Sequence, residues 1–171
     1  MKNIISSFTL PNGSVLKNRI AKSAMSENFG TKYHAPSSGL IHAYKVWAEG
    51  NPGLLITGNV MVDSKALGEA RNVVVEDYKH FEELKAWAKS VEGTGVHIWP
   101  QINHPGRQAF SAINRKVFAP SALPLKMGNA SKMFKLPLAL EEKDSLTKLL
   151  MAKGYNEKDI IDNGLAQNNN L

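Results

Sequence analysis

The order in which strand-like and helix-like stretches alternate restricts the fold of this chain more than any other feature. Gly50-Asn51-Pro52-Gly53 stops a helical pattern, and Leu54-Leu55-Ile56-Thr57-Gly58-Asn59-Val60-Met61-Val62 follows at once as a nearly unbroken apolar run. Such a run, bounded by turn residues, is the pattern of a strand covered on both faces. A weaker strand is expected over Arg19–Met25, and a third over Val96–His104, ended by Pro105-Gly106. Between them, Ser37 or Ser38 can cap a helix from about Gly39 to Glu49, with Leu40, Tyr44, Trp47 and Ala48 on one face. A second helix is expected to start at Asp77 as N-cap, to carry Phe81, Leu84, Trp87, Ala88 and Val91 on its apolar face, and to close at Gly93 and Gly95. Strand, helix, strand, helix, strand at this spacing predicts parallel pairing through right-handed crossovers. An open doubly wound sheet and the opening units of an eight-fold β/α barrel both fit. No G-x-G-x-x-G follows the first strand and no G-x-x-x-x-G-K-[ST] occurs.

Two further regions frame this core. Phe8-Thr9-Leu10 and Val15-Leu16-Lys17 flank Asn12-Gly13 and predict an N-terminal hairpin. Residues 105–137, rich in Pro, Ser, Asn and Gly, form an excursion long enough to suggest function. Residues 138–171 read as a divergent tail, weakly structured or helical around Leu140–Gly154 and Glu157–Leu165, with no fourth buried strand after residue 137.

Composition removes several classes of function. With 171 residues, 43% of them hydrophobic, the chain can bury a core, and no run approaches the ~18 apolar residues of a membrane span. The N-terminus lacks the pattern of a secretory signal, so a cytoplasmic protein is expected. Zero cysteines exclude disulfides and thiolate chemistry, and His34, His42, His80 and His97 show no metal-ligand spacing, so no metal is assigned. The net charge of +6 is scattered along the chain, which suits a solvated surface better than a nucleic-acid interface.

Ligands of parallel α/β sheets sit where strands end. The three ends here carry Ala24-Met25-Ser26-Glu27, Thr57-Gly58-Asn59 and Gln101-Ile102-Asn103-His104. Ser26 offers a hydroxyl, Gln101 a paired carbonyl and amide, and Gly58 a backbone that a planar ligand could approach closely, a set suited to the edge of a heteroaromatic ring. His104 and Arg107 place an imidazole and a guanidinium at the same rim, fit for an anion or for acid–base work. Read alone, such side chains are more often ordinary structural residues near strand ends. Trp47 and Trp87 fall on apolar helix faces, and Trp99 is expected in the core.

Leu10-Pro11-Asn12-Gly13 through Lys17-Asn18-Arg19-Ile20, then Tyr44 with Ala48-Glu49-Gly50 and Gly53–Gly58, then Gln101-Ile102-Asn103-His104-Pro105-Gly106-Arg107 together resemble the old yellow enzyme family, the FMN-dependent NAD(P)H:flavin oxidoreductases. The third segment is similar to that family's Gln-Leu-x-His-x-Gly-Arg strand. The resemblance runs from about residue 7 to 137 and implies an α/β fold, a partial (β/α)8 TIM barrel of N-terminal hairpin plus about three βα units. It further implies FMN as cofactor and NAD(P)H as reductant, with hydride passing through the flavin to an activated alkene. By position, Ala24 and Met25 match the segment whose backbone lies against the flavin, Ala24 replacing a common proline. Ser26 matches a Thr or Cys near the reactive edge, Gly58 a small residue facing the ring, and Gln101 the glutamine bonded to the pyrimidine.

The chain also departs from that pattern. The family's paired His-x-x-His or His-x-x-Asn lies on the fourth-strand motif, yet no histidine follows Arg107, and Tyr155, the only later tyrosine, lies in an unrelated context. The resemblance therefore leaves the catalytic residues unassigned, leaves out the phosphate loops of the later strands, and implies an incomplete chain, weakly active or inactive alone. The alternative is a non-catalytic half-barrel that works by association, with itself or a partner, through the open edge of the third strand, or a truncated relic.

Overall fold

The computed structural model describes residues 3–134 and 136–139, and the helical segments expected between Leu140 and Leu165 lie outside them. Strands β1 (Phe8–Thr9) and β2 (Val15–Leu16) form the expected antiparallel hairpin, with Phe8 opposite Leu16. Its turn closes by Gly13 N–H donating to the Leu10 carbonyl at 2.9 Å, and Gly13 sits at φ +86°, where a side chain would be strained.

Strand β4 (Leu54–Met61) is the centre of the fold, buried at six of its eight positions. On one edge it pairs in parallel with β6 (His97–Asn103) along its length. The register slips by one residue between Ile56 and Asn59, opposite Pro100. Pro100 has no N–H for the ladder, and the Thr57 hydroxyl accepts the following N–H, that of Gln101, at 2.9 Å.

The other edge of β4 is shared. Its first two residues pair with β3, which is only Ala21–Lys22, and its last two with β5 (Val73–Val74), a strand the sequence reading did not anticipate. The strand expected over Arg19–Met25 is therefore shorter than predicted, for two reasons. Upstream, the Ile20 N–H is taken by the Asn18 side chain at 3.0 Å, while the Ile20 carbonyl accepts from Gly53 at 2.8 Å. Downstream, β5 occupies the far part of the edge, and the Glu27 side chain stands in for a ladder partner between them.

Helix α1 (Ser38–Glu49) is capped by Ser37, one of the two serines offered by the sequence, whose hydroxyl accepts from the Leu40 N–H at 3.1 Å. Leu40, Tyr44 and Ala48 are its buried face. Helix α2 (Phe81–Lys89) starts four residues later than the predicted cap. Asp77 instead accepts the Lys79 N–H at 2.8 Å in a local turn, and His80 bonds the Tyr33 carbonyl at 2.8 Å, so the helix opens only after His80. The expected apolar face of α2 is narrower in consequence: Trp87 is buried, whereas Phe81 and Ala88 are exposed.

Both helices pack on one face of the sheet. Leu40, Tyr44 and Ala48 of α1 meet Leu55 and Val60 of β4, Val73, Trp87, Val91 and Val96, with Ile98 of β6 against them. Tyr44 packs edge-on to Trp47 and Trp87 at 4.9 and 5.2 Å, and each such aromatic side chain contributes roughly 1.5–3 kcal/mol by burial. Trp99, expected in the core, is 38% exposed, because it lies beside Ile56 on the opposite face from the Leu55–Ile98 pair that meets the helices.

The excursion after β6 has structure of its own. Short 3-10 turns at Gly106–Gln108 and Ala130–Met133 flank β7 (Phe118–Ala119), which pairs in parallel with β8 (Leu138–Ala139). Phe110 stacks on Phe134 at 5.2 Å, and buried Ala109 and Val117 pack against Ala66. The buried Asn114 side chain accepts from the Leu67 N–H at 2.8 Å and donates to the Leu67 and Phe110 carbonyls, fastening the excursion to the loop after β4.

Candidate functional site at the strand ends

The C-terminal ends of β3, β4 and β6 converge, because the three strands run parallel in the order β3-β4-β6. Asn103 Nδ2 donates to Asn59 Oδ1 at 2.7 Å and ties the ends of β6 and β4 together. The centre of the cluster is a carboxylate that the sequence reading passed over. Glu27 accepts hydrogen bonds from the Tyr44 hydroxyl and from the Gly58 N–H, whose nitrogen lies 3.2 Å from each carboxylate oxygen, and Lys22 Nζ stands 3.6 Å away. Lys22 also donates to the Ile56 carbonyl at 3.1 Å and lies over the Trp47 ring at 4.6 Å.

This cluster has a defined electrostatic state. Burial, followed by the bond to Glu27, pushes the Tyr44 phenol well above its ordinary range, so it remains a hydrogen-bond donor. Burial also lowers the Lys22 ammonium, with the Glu27 charge opposing that shift. The Glu27 and Lys22 side chains are 9% and 14% exposed, so the pair is largely withdrawn from water and depends on its additional hydrogen bonds.

The predicted residues fall around this centre. Ala24, Met25 and Ser26 follow β3 outside any regular element, with Met25 51% exposed, and the Ser26 hydroxyl donates to Glu69. Gln101 is exposed, its backbone fixed by Thr57. Gly58 plays a different part from the one its smallness suggested. A Cβ there would run into the Glu27 carboxylate and the Met25 carbonyl, so the glycine makes room for Glu27. The sequence did carry one signal for this: an acidic residue directly after one strand, opposite a glycine in an otherwise bulky neighbouring strand.

At the rim, His104 Nδ1 accepts the Gly106 N–H at 3.1 Å, which leaves the proton on Nε2. Desolvation holds the imidazole below its ordinary value, with Asp63 acting in the opposite direction. His104 is therefore a neutral donor near pH 7. Arg107 lies exposed in the 3-10 turn beside it. Among the described residues, no group of three or more His, Cys, Asp or Glu could hold a metal, and no helix is long and apolar enough to cross a membrane.

The fold recurs in solved structures. The structure superposes on the old yellow enzyme of Trypanosoma cruzi with a TM-score of 0.72 at 18% identity, covering 88% of this chain and 46% of that one. Morphinone reductase in complex with tetrahydroNAD gives a TM-score of 0.70 at 17% identity, over 91% of this chain and 48% of that one. The fold is thus part of a TIM barrel. In sequence, the chain is 34% identical over 132 residues to the NADH-dependent flavin oxidoreductase iliE of Hypocrea jecorina, covering 71% of this chain and 33% of the relative. It is 35% identical over 136 residues to the corresponding protein iccE of Talaromyces variabilis, covering 74% and 33%. The NADH oxidase of Thermoanaerobacter brockii is 33% identical over 113 residues, 64% of this chain and 17% of that protein. The chain thus spans a third or less of the length of these relatives. The profile described as NADH:flavin oxidoreductase / NADH oxidase matches residues 6–161, and with that match the chain belongs to this family.

Proposed function

We propose that this chain supplies the strand-end wall of an FMN site in an NADH-dependent oxidoreductase of old yellow enzyme type. The observation that supports it is the convergence of Met25-Ser26, Gly58 and Gln101 on three adjacent parallel strand ends within a chain of that family. The donor set fits a flavin ring in part. Exposed Met25, Ser26 and Gln101 would line the ring, Gln101 offering both an acceptor and a donor to its pyrimidine edge. Gly58 would serve indirectly, because its N–H is held by Glu27. The chemistry the flavin supplies when bound is hydride transfer, from NADH or NADPH to an activated alkene such as an enone. This chain's residues orient the ring, and neutral His104 with Arg107 would face a small-molecule substrate at the rim. The free edge of β6, which pairs only with β4 among the described residues, would take up the further strands of a barrel or a second copy of the chain.

Titration of the full chain with FMN and with riboflavin, read by flavin fluorescence, tests this reading. The described residues address the ring, so both ligands are expected to bind weakly and alike, and Gln101→Ala should weaken both about tenfold. Absence of saturable binding up to about 1 mM, the weak end of specific affinity, or indifference to Gln101→Ala, refutes it.

A further inference from the structure

Beside the strand ends lies a cavity of about 600 Å³ between the segment after β3 and the opening of α1, with Phe29, Lys32 and Arg71 in its walls. Two cations line it and no carboxylate does. Phe29 is a large ring left 55% exposed there. The walls are fixed by bonds between distant segments: Gly30 N–H donates to the Arg71 carbonyl at 2.8 Å, and Arg71 N–H donates to Asn28 Oδ1 at 2.8 Å. A side chain at Gly30 would strike the Arg71 carbonyl, so this approach is as close as a glycine permits. Arg71 commits one guanidinium N–H to the Gly30 carbonyl at 3.4 Å, which leaves most of its five-donor fork for a ligand. Asn28, Phe29, Gly30 and Arg71 also border a much smaller void whose other walls include Glu27, Gly58 and Asn59.

A planar surface next to two cations from different segments, free of competing acid, suits an anion attached to an aromatic base. We propose that this cavity is a subsite for the pyrophosphate-bearing end of a nucleotide, with Lys32 and Arg71 binding the phosphates and Phe29 stacking on the base. The assignment of that nucleotide as the reductant rests on the function proposed above. The cavity is lined by the residues that directly follow Met25, Ser26 and Glu27, so the remote half of a dinucleotide would lie there while its reactive ring sits at the flavin.

The test uses the full chain and three probes, namely ADP, inorganic pyrophosphate and adenosine, followed by calorimetry or amide chemical shifts. ADP is expected to bind saturably, more tightly than either pyrophosphate or adenosine, and to weaken as salt rises. Lys32→Ala and Arg71→Ala should each weaken ADP about tenfold. Phe29→Ala should remove the advantage of ADP over pyrophosphate and leave pyrophosphate unchanged. Lys32→Gln, at an exposed loop position, keeps the test decisive should Arg71→Ala impair folding. The proposal is overturned by absence of saturable ADP binding at about 1 mM, or by ADP affinity indifferent to the changes at both cations. Riboflavin binding that ignores Gln101→Ala, alongside intact ADP binding, would reject the flavin reading and leave this subsite standing.

Discussion

Glu27 and Gly58 form one unit: the carboxylate receives the Gly58 N–H at 3.2 Å through both oxygens and fills the volume a side chain at position 58 would need. A glycine in the middle of an apolar strand ordinarily weakens it. Here it lets a side chain complete a gap in the ladder between β3 and β5.

Gly58→Ala should therefore destabilise the fold by about 1–3 kcal/mol, because the added methyl displaces a carboxylate that Lys22 and Tyr44 depend on. Urea unfolding read by tryptophan fluorescence measures it, and an unchanged midpoint would contradict the packing.

Removing the acceptor should cost more than removing one donor. Glu27→Ala leaves the partly buried Lys22 without its counter-charge and is expected to cost about 3–5 kcal/mol. Tyr44→Phe keeps the ring in its edge-on contacts and should cost about 1–2 kcal/mol. Equal losses for the two variants would show that the Lys22–Glu27 pair contributes nothing beyond the phenol bond.

Ser37→Ala should lower stability by about 1 kcal/mol through loss of the cap on the Leu40 N–H, while Asp77→Ala should leave α2 nearly unaffected because α2 begins after His80. Parallel thermal melts compare them, and a larger loss at Asp77 would relocate the start of that helix.

His104 gives a pH dependence of definite sign. Its folded-state value is lowered, so the unfolded chain binds the proton more readily, and stability falls as pH drops from the ordinary histidine range through the folded value. Melts of the wild type and of His104→Asn between about pH 8 and 5 should converge at the alkaline end, with the wild type losing more on acidification. The effect is modest because the ring is only partly withdrawn from water. A proton NMR titration placing His104 at or above the free histidine value would remove its basis.

Much of the framework was legible in the chain. The stop at Gly50–Gly53, the apolar run of β4 and the Ser37 cap each have a local cause, and each stands where local rules put it. What escaped has non-local causes. β3 is short because β5, a segment some fifty residues later, takes the rest of the same edge. The start of α2 is set by the bond from His80 to Tyr33, and the exposure of Trp99 follows from which face of β6 the helices cover. At the site, the types and places of Ser26, Gly58 and Gln101 could be read, but the partnership of Glu27 with three separate elements requires the fold. Such a residue looks like one more surface acid in a list of fifteen.

The fastening by Asn114 changes what kind of object the excursion is. Because one buried amide binds Leu67 and Phe110 together, the excursion is anchored at Asn114 to the loop after β4, and removing that amide would release both carbonyls and the Leu67 N–H at once. The stretch 120–126, exposed at every position but Leu125 and crossed by no such tie among the described residues, is where the chain would accept an inserted reporter or a peptide tag while the strand ends keep their shape.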